Sequence, residues 1–130
     1  MIIDPSALLA IITSEPQRPR FLEAIENAPT VSMSTASWFE CCIVVDNHAN
    51  PLVARRFDAL VEAAGIELVP VSAEHARVAR AAYRDFGKGS SSVARLNFGD
   101  CFSYALAKVT DEPLLFKGDD FGHTDVRAAV

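Results

Sequence analysis

The chain has little of what would staple a small protein covalently or anchor it in lipid. Its 130 residues include three cysteines, Cys41, Cys42 and Cys101, an odd number with two of them adjacent. That set excludes a disulfide framework and predicts reduced, buried thiols acting as small hydrophobes. No histidine or further cysteine stands at zinc-ligand spacing, which argues against a zinc site built on them. The longest apolar runs, such as Ala7 to Ile12, fall far short of the roughly 20 residues a membrane helix needs. Met1-Ile2-Ile3 is interrupted at once by Asp4 and Pro5 and has no basic residues before it, so no secretory signal is read and a cytoplasmic location is expected. Internal repeats, low-complexity stretches and linkers are absent as well, so residues 1–130 are read as a single folded unit.

Positive charge is the other shortage. Twelve Lys and Arg against 17 Asp and Glu leave a formal charge of −5. That is the wrong sign for binding nucleic acid by bulk attraction. The objection lapses only if the acids are concentrated in one place and neutralised by cations.

What is present is an ordinary globular balance, half hydrophobic and 22% charged, with enough chain for one continuous core. Met1 to Asp4 reads as a short buried strand ending in an acid, and Pro5 fits the first turn of a helix running to Thr13. A second helix is expected from about Pro19 to Asn27, then a β-prone run from Thr30 to Met33. Ser34 makes a good N-cap for a helix through about Asn47. Pro51 opens another helix that ends near Gly65, and Ile66 to Val71 reads as a strand. Ser72 caps a helix, with Glu74 in its first turn, that ends at Gly87. Lys88 to Phe98 reads as a flexible loop. Gly99-Asp100 begins a helix to about Val109, Pro113 to Phe116 is a strand, and a loop over Lys117 to Asp125 leads to a short last strand near Val126. Strands alternating with helices indicate an α/β domain with a mainly parallel sheet, whose cleft lies at the carboxyl ends of the strands.

Four acidic positions attract notice against that frame. Asp4 closes the first strand, and Asp119-Asp120 follow the last long one. Asp100 sits in the first turn of a helix, where an acid also complements the macrodipole. Taken singly, Asp4 could be a cap and Asp119-Asp120 a solvated turn. Glu40 is harder to dismiss, since it shares an apolar helix face with Ala36, Ile43 and Val44 and no cation lies on that helix. If the four converge, their repulsion needs hard divalent cations with oxygen ligands, and such ions can orient water and stabilise charge on a scissile phosphate.

At these residues the chain resembles a known family. Met1-Ile2-Ile3-Asp4-Pro5-Ser6, Ser34-Thr35-Ala36-Ser37-Trp38-Phe39-Glu40, Leu96-Asn97-Phe98-Gly99-Asp100, and Leu114-Leu115-Phe116-Lys117-Gly118-Asp119-Asp120 together look like a VapC-type PIN-domain toxin. The likeness runs from Met1 to about Val126, with the elements in order. It implies a PIN-like three-layer α/β/α domain and a magnesium- or manganese-dependent endoribonuclease, the toxin of a type II toxin–antitoxin module. The resemblance also implies that Asp4, Glu40, Asp100 and Asp119 hold metal, Asp119 being favoured over Asp120, and that Ser6 supports the first acid. It implies a VapB-like antitoxin and RNA as partners, with a homodimer that forms a heterotetramer or larger assembly. Pro5 departs from the pattern, standing where the family usually has Thr.

Other features carry weaker signals. Arg77, Arg80, Arg84 and Lys88 share one helix face, with Arg95 beyond, as either a solvated face or an RNA-backbone strip. Asn97 could steer substrate or cap the helix. Trp38 and Phe39 read as core, although some of that apolar helix could serve dimerisation or an antitoxin groove. His48, His75 and His123 show no catalytic pairing. Two other classes compete with the nuclease. One is a catalytically silent PIN-type binding module. The other is a receiver-like phospho-acceptor, for which Lys117 loosely qualifies but no central strand is expected to end in an acceptor Asp.

Overall fold

The computed structural model describes residues 1–130, with β1 (Ile2–Ile3), α1 (Pro5–Ile12), α2 (Arg18–Asn27), β2 (Ser32–Ser34), α3 (Thr35–Asp46), α4 (Leu52–Ala63), β3 (Glu67–Val69), α5 (Ala73–Phe86), α6 (Asp100–Thr110) and β4 (Leu114–Leu115). The predicted caps hold. Asp4, Ser34 and Ser72 are each extended and accept a backbone N–H of the helix that follows, from Ser6, Ala36 and His75. At Ser72 the bond is reciprocated, because its own N–H donates to His75 Nδ1. This gives His75 a structural task.

The strands lie in the order β3-β2-β1-β4, all parallel. Neighbouring residues of a strand point to opposite faces, and here each face has its own helices. Ile3, Met33 and Leu115 join a core with α1, α2, α3 and α4 through residues such as Leu8, Phe21, Cys41 and Phe57. Ile2 and Leu114 join a second core with α5 and α6 through Ala79, Ala82, Tyr104 and Ala105. The three-layer α/β/α architecture follows directly. No helix is long and apolar enough to cross a membrane.

Three expectations need correction. The strand expected near Val126 does not form; Ala128 makes one isolated bridge to Leu114. Residues 88–98 are tethered rather than loose. Ala94 and Leu96 are fully buried, Lys88 N–H donates to Leu96 O at 2.9 Å, and Leu96 N–H donates to Phe86 O at 2.9 Å. The apolar surface of α3 is also only partly core. Its buried stripe is Ser37, Cys41 and Val45, at i, i+4 and i+8, and one stripe is all a helix can turn inward. Trp38 packs against the first core, while Phe39 is 60% exposed and Ile43 and Val44 face solvent.

Candidate active site

The chain adds β2 and then β3 on one side of β1 before crossing to place β4 on the other. In parallel sheets, ligands bind outside the carboxyl ends of the strands where the winding reverses. The residues that follow β1 and β4 lie there.

Asp4 is the innermost acid, only 2% exposed. Its backbone N–H still belongs to the sheet, donating to Leu115 O at 2.9 Å. Its Oδ2 accepts the Ser6 N–H at 2.9 Å and the Ser6 hydroxyl at 2.6 Å. Ser6 Oγ in turn accepts the Lys117 N–H at 3.0 Å, so one hydroxyl ties the first acid to the loop after β4. Asp4 Oδ1 is buried and has no hydrogen-bond partner. The nearby Ser103 hydroxyl lowers the proton affinity of Asp4 and also lies 3.2 Å from Ser37 Oγ, a pair in which either hydroxyl can donate. Orphaned buried carboxylate oxygens are costly.

Asp100 opens α6 and is held by a reciprocal pair. Asn97 N–H donates to Asp100 Oδ2 at 2.7 Å, and Asp100 N–H donates to Asn97 Oδ1 at 2.9 Å. Asn97 Oδ1 therefore caps the first amide of α6. Glu40 projects from α3 toward the start of α6 and packs against Gly99. After β4, Gly118 adopts a left-handed φ of +98° that residues with a Cβ rarely take, and this turns the chain into the Asp119-Asp120 pair. A short 3-10 turn, Phe121–His123, anchors that loop through buried Phe121, whose ring lies 5.2 Å from that of Phe116.

The acids raise one another's proton affinity. Burial pushes Asp4 up, against the pull of its serine hydrogen bonds. Burial and then the charge of Asp4 push Glu40 up. Asp100 is pushed up to about 6, chiefly by burial, with the Asn97 N–H opposing and the charges of Asp4, Asp120 and Glu40 adding. Asp119 acts on none of these three. Of the pair after β4, Asp120 is the one whose charge adds to the rise at Asp100.

No three His, Cys, Asp or Glu side chains close on a common ion position. Magnesium takes only one or two carboxylates while keeping several waters, so a cluster of three is not required. The all-oxygen donor set and the orphaned Asp4 Oδ1 suit a hard divalent ion. The buried Ser37–Ser103 hydroxyl pair beside Asp4 escaped sequence reasoning. Its only trace was a pair of serines within otherwise apolar helix segments.

Arg77, Arg80, Arg84, Lys88 and Arg95 are all exposed. Arg84 is paired with Asp85 through bonds of 2.7 and 3.0 Å, which leaves the others free of ion pairs. An apolar groove of about 380 Å³ opens beside Glu40 along Phe39, Ile43, Phe98 and Phe102. A larger cavity of about 800 Å³, bordered by Met1 and Pro113, lies at the opposite ends of β1 and β4. It holds none of the four acids, and Glu112 on its wall is paired with the Met1 amine.

Comparison with known proteins adds an independent line. The family model described as PIN domain matches residues 1–127. Ribonuclease VapC28 of Mycobacterium tuberculosis (strain ATCC 25618 / H37Rv) is 49% identical over 130 residues, covering 100% of this chain and 98% of that protein. Ribonuclease VapC42 of the same strain is 48% identical over 129 residues, covering 99% and 98%. Among solved structures, M. tuberculosis VapC20, described as a sarcin–ricin loop cleaving toxin, aligns with a TM-score of 0.73 at 14% identity over 96% of this chain and 95% of that one. A toxin–antitoxin complex from Klebsiella pneumoniae aligns with a TM-score of 0.72 at 16% identity, over 95% and 92%. These two likenesses speak to the fold.

Proposed function

The chain belongs to the PIN-domain family, among the VapC ribonucleases, and from that premise we propose that it is a metal-dependent endoribonuclease acting as the toxin of a toxin–antitoxin module. The observation that carries the metal is the buried Asp4 Oδ1, which has no partner and lies beside two further acids of raised proton affinity. Asp4, Glu40, Asp100 and Asp120 would hold magnesium or manganese. When bound, the ion neutralises the gathered acids and activates water toward the scissile phosphate. Ser6 keeps the first acid in place and fastens the loop that carries the fourth. Asn97 fixes the Asp100 carboxylate through its N–H, leaving Asp100 Oδ1 for the ion. The free cations Arg77, Arg80 and Arg95 supply attraction for an RNA backbone, which an overall charge of −5 does not.

A cognate antitoxin is the proposed protein partner, and the exposed Phe39, Ile43 and Phe98 offer apolar surface for a protein contact. The receiver-like alternative falls with the family match and with a point of geometry. Asp4 does end an interior strand, contrary to expectation, but a phospho-acceptor must be reachable and Asp4 is buried. A silent binding module has no use for an unpaired buried acid. The test is expression in a bacterial host without antitoxin: growth should stop, and Asp100→Ala should restore it. Arrest that persists unchanged in Asp100→Ala would separate toxicity from RNA cleavage.

A further inference from the structure

Gly99 stands immediately before Asp100, and nothing in its backbone calls for glycine. Its φ of −64° and ψ of −43° are ordinary right-handed helical values, and it offers no side-chain cap to α6. Glycine is acceptable at a helix N-cap, but neither its φ nor a cap bond requires it here. A missing side chain that the backbone itself does not require points to a demand made from elsewhere in the fold.

The demand comes from α3. A Cβ built on Gly99 would overlap Glu40 Oε2 outright and would stand 3.0 Å from Glu40 Cδ and 3.2 Å from Glu40 Oε1. These three nearest atoms all belong to the same carboxyl group. The space left by the missing methyl is therefore filled by one carboxylate. Glu40 makes no hydrogen bond or ion pair that would hold it there, so the shape of the wall is what keeps its head group beside Asp100.

We infer that Gly99 is a positioning residue, whose missing Cβ is the slot that seats the Glu40 carboxylate at the start of α6, next to Asp100. This rests on the metal-site reading above and deepens it. A methyl group at position 99 displaces only the far end of a flexible side chain, so the fold tolerates it while the acid leaves its place. Gly99 thus acts through Glu40 and touches neither ion nor substrate.

The experiment is a cycle of Gly99→Ala, Glu40→Ala and the double variant, read by thermal melting with and without manganese and by calorimetric manganese binding. In chelator, Gly99→Ala should melt at or above the wild-type temperature. With manganese, its stabilising shift should shrink and its dissociation constant should rise about tenfold or more, the scale of losing one well-placed interaction. In the Glu40→Ala background the same methyl should change neither reading, since the group it displaces is already gone. An equal loss of manganese affinity in both backgrounds would assign Gly99 a role independent of Glu40 and overturn the inference. So would an unchanged manganese response in Gly99→Ala when Glu40→Ala has lost its own. If Glu40→Ala itself binds manganese like the wild type, the metal-site reading fails first, and the two failures are told apart.

Discussion

Replacing Asp4 by Asn removes one charge from the cleft and almost nothing else. The Asn carbonyl can accept both Ser6 bonds that Asp4 Oδ2 accepts at 2.9 and 2.6 Å, and Asn is as good an N-cap as Asp. What disappears is the repulsion that Asp4 exerts on its neighbours and the cost of burying its own charge. Asp100 stands at about 6 rather than the usual value near 4, a displacement of roughly two units or ~2.7 kcal/mol. Burial is the first cause of that displacement and Asp4 the strongest of the three neighbouring charges. The Asp4 share of that displacement, discounted for the solvent that reaches Asp100, together with the gain at Glu40 and the lost cost of burying the charge of Asp4 itself, gives relief on the order of 1 kcal/mol. In chelator the Asn variant should therefore melt about 4 °C above the wild type, by the size scaling of unfolding entropy.

Magnesium reverses the order. An ion that binds only the folded state, supplied at about a hundred times its dissociation constant, stabilises the wild type by ~2.7 kcal/mol. That corresponds to about 10 °C, and the variant should gain little of it. Asp4→Ala serves as the control, because losing the cap costs about 1 kcal/mol and cancels the electrostatic relief. Scanning calorimetry of the three proteins, with chelator and with magnesium, reads all of this. An Asn variant that melts below the wild type in chelator and keeps the full magnesium shift would refute the reasoning.

Three further outcomes are expected. Asp120→Asn should reduce the magnesium-induced shift and slow cleavage while Asp119→Asn leaves both near wild type; the reverse ranking by the same melts would return the fourth ligand to Asp119. Because Asp100 has a folded-state value of about 6, above its unfolded value, the folded protein binds more protons between about pH 4 and 6. Its metal-free stability should therefore fall by ~1 kcal/mol as pH rises through that window. Urea titrations should show this, and a slope left undiminished in Asp100→Asn would mean that another group is responsible. Charge reversal at Arg77 and Arg80 should weaken RNA retention and flatten its salt dependence without altering the magnesium shift, and an unchanged salt slope in filter binding would make that face merely solvated.

Much of this was legible in the sequence because it is local. Caps at Asp4, Ser34 and Ser72 depend on a hydroxyl or carboxylate within three residues, and the six helices follow from them and from apolar spacing. The order of the elements and the placement of Asp4 and the Asp119-Asp120 pair beyond strand ends follow from the handedness and winding of parallel sheets. What escaped depends on neighbours distant in the chain. The outward face of α3 is apolar like its inward face, so Phe39 could not be told from core by pattern alone. Ala94 and Leu96 are buried by packing with α5 and α6, which a run of serines and glycines concealed. Asp119 and Asp120 are alike in the sequence, and only the backbone of a left-handed Gly118 and a following 3-10 turn sets them apart. Gly99 reads as an ordinary helix-start glycine until the Glu40 carboxylate is seen against it.

The central claim is that the gathered acids work through a divalent ion on RNA. Its most direct measurement is cleavage of a structured RNA by the purified protein, first in chelator, then after manganese or magnesium is restored, beside Asp100→Asn under the same conditions. The account predicts no cleavage in chelator, recovery on adding the ion, and none at any ion concentration in the variant. Undiminished cleavage in excess chelator, or full activity in Asp100→Asn, would contradict it.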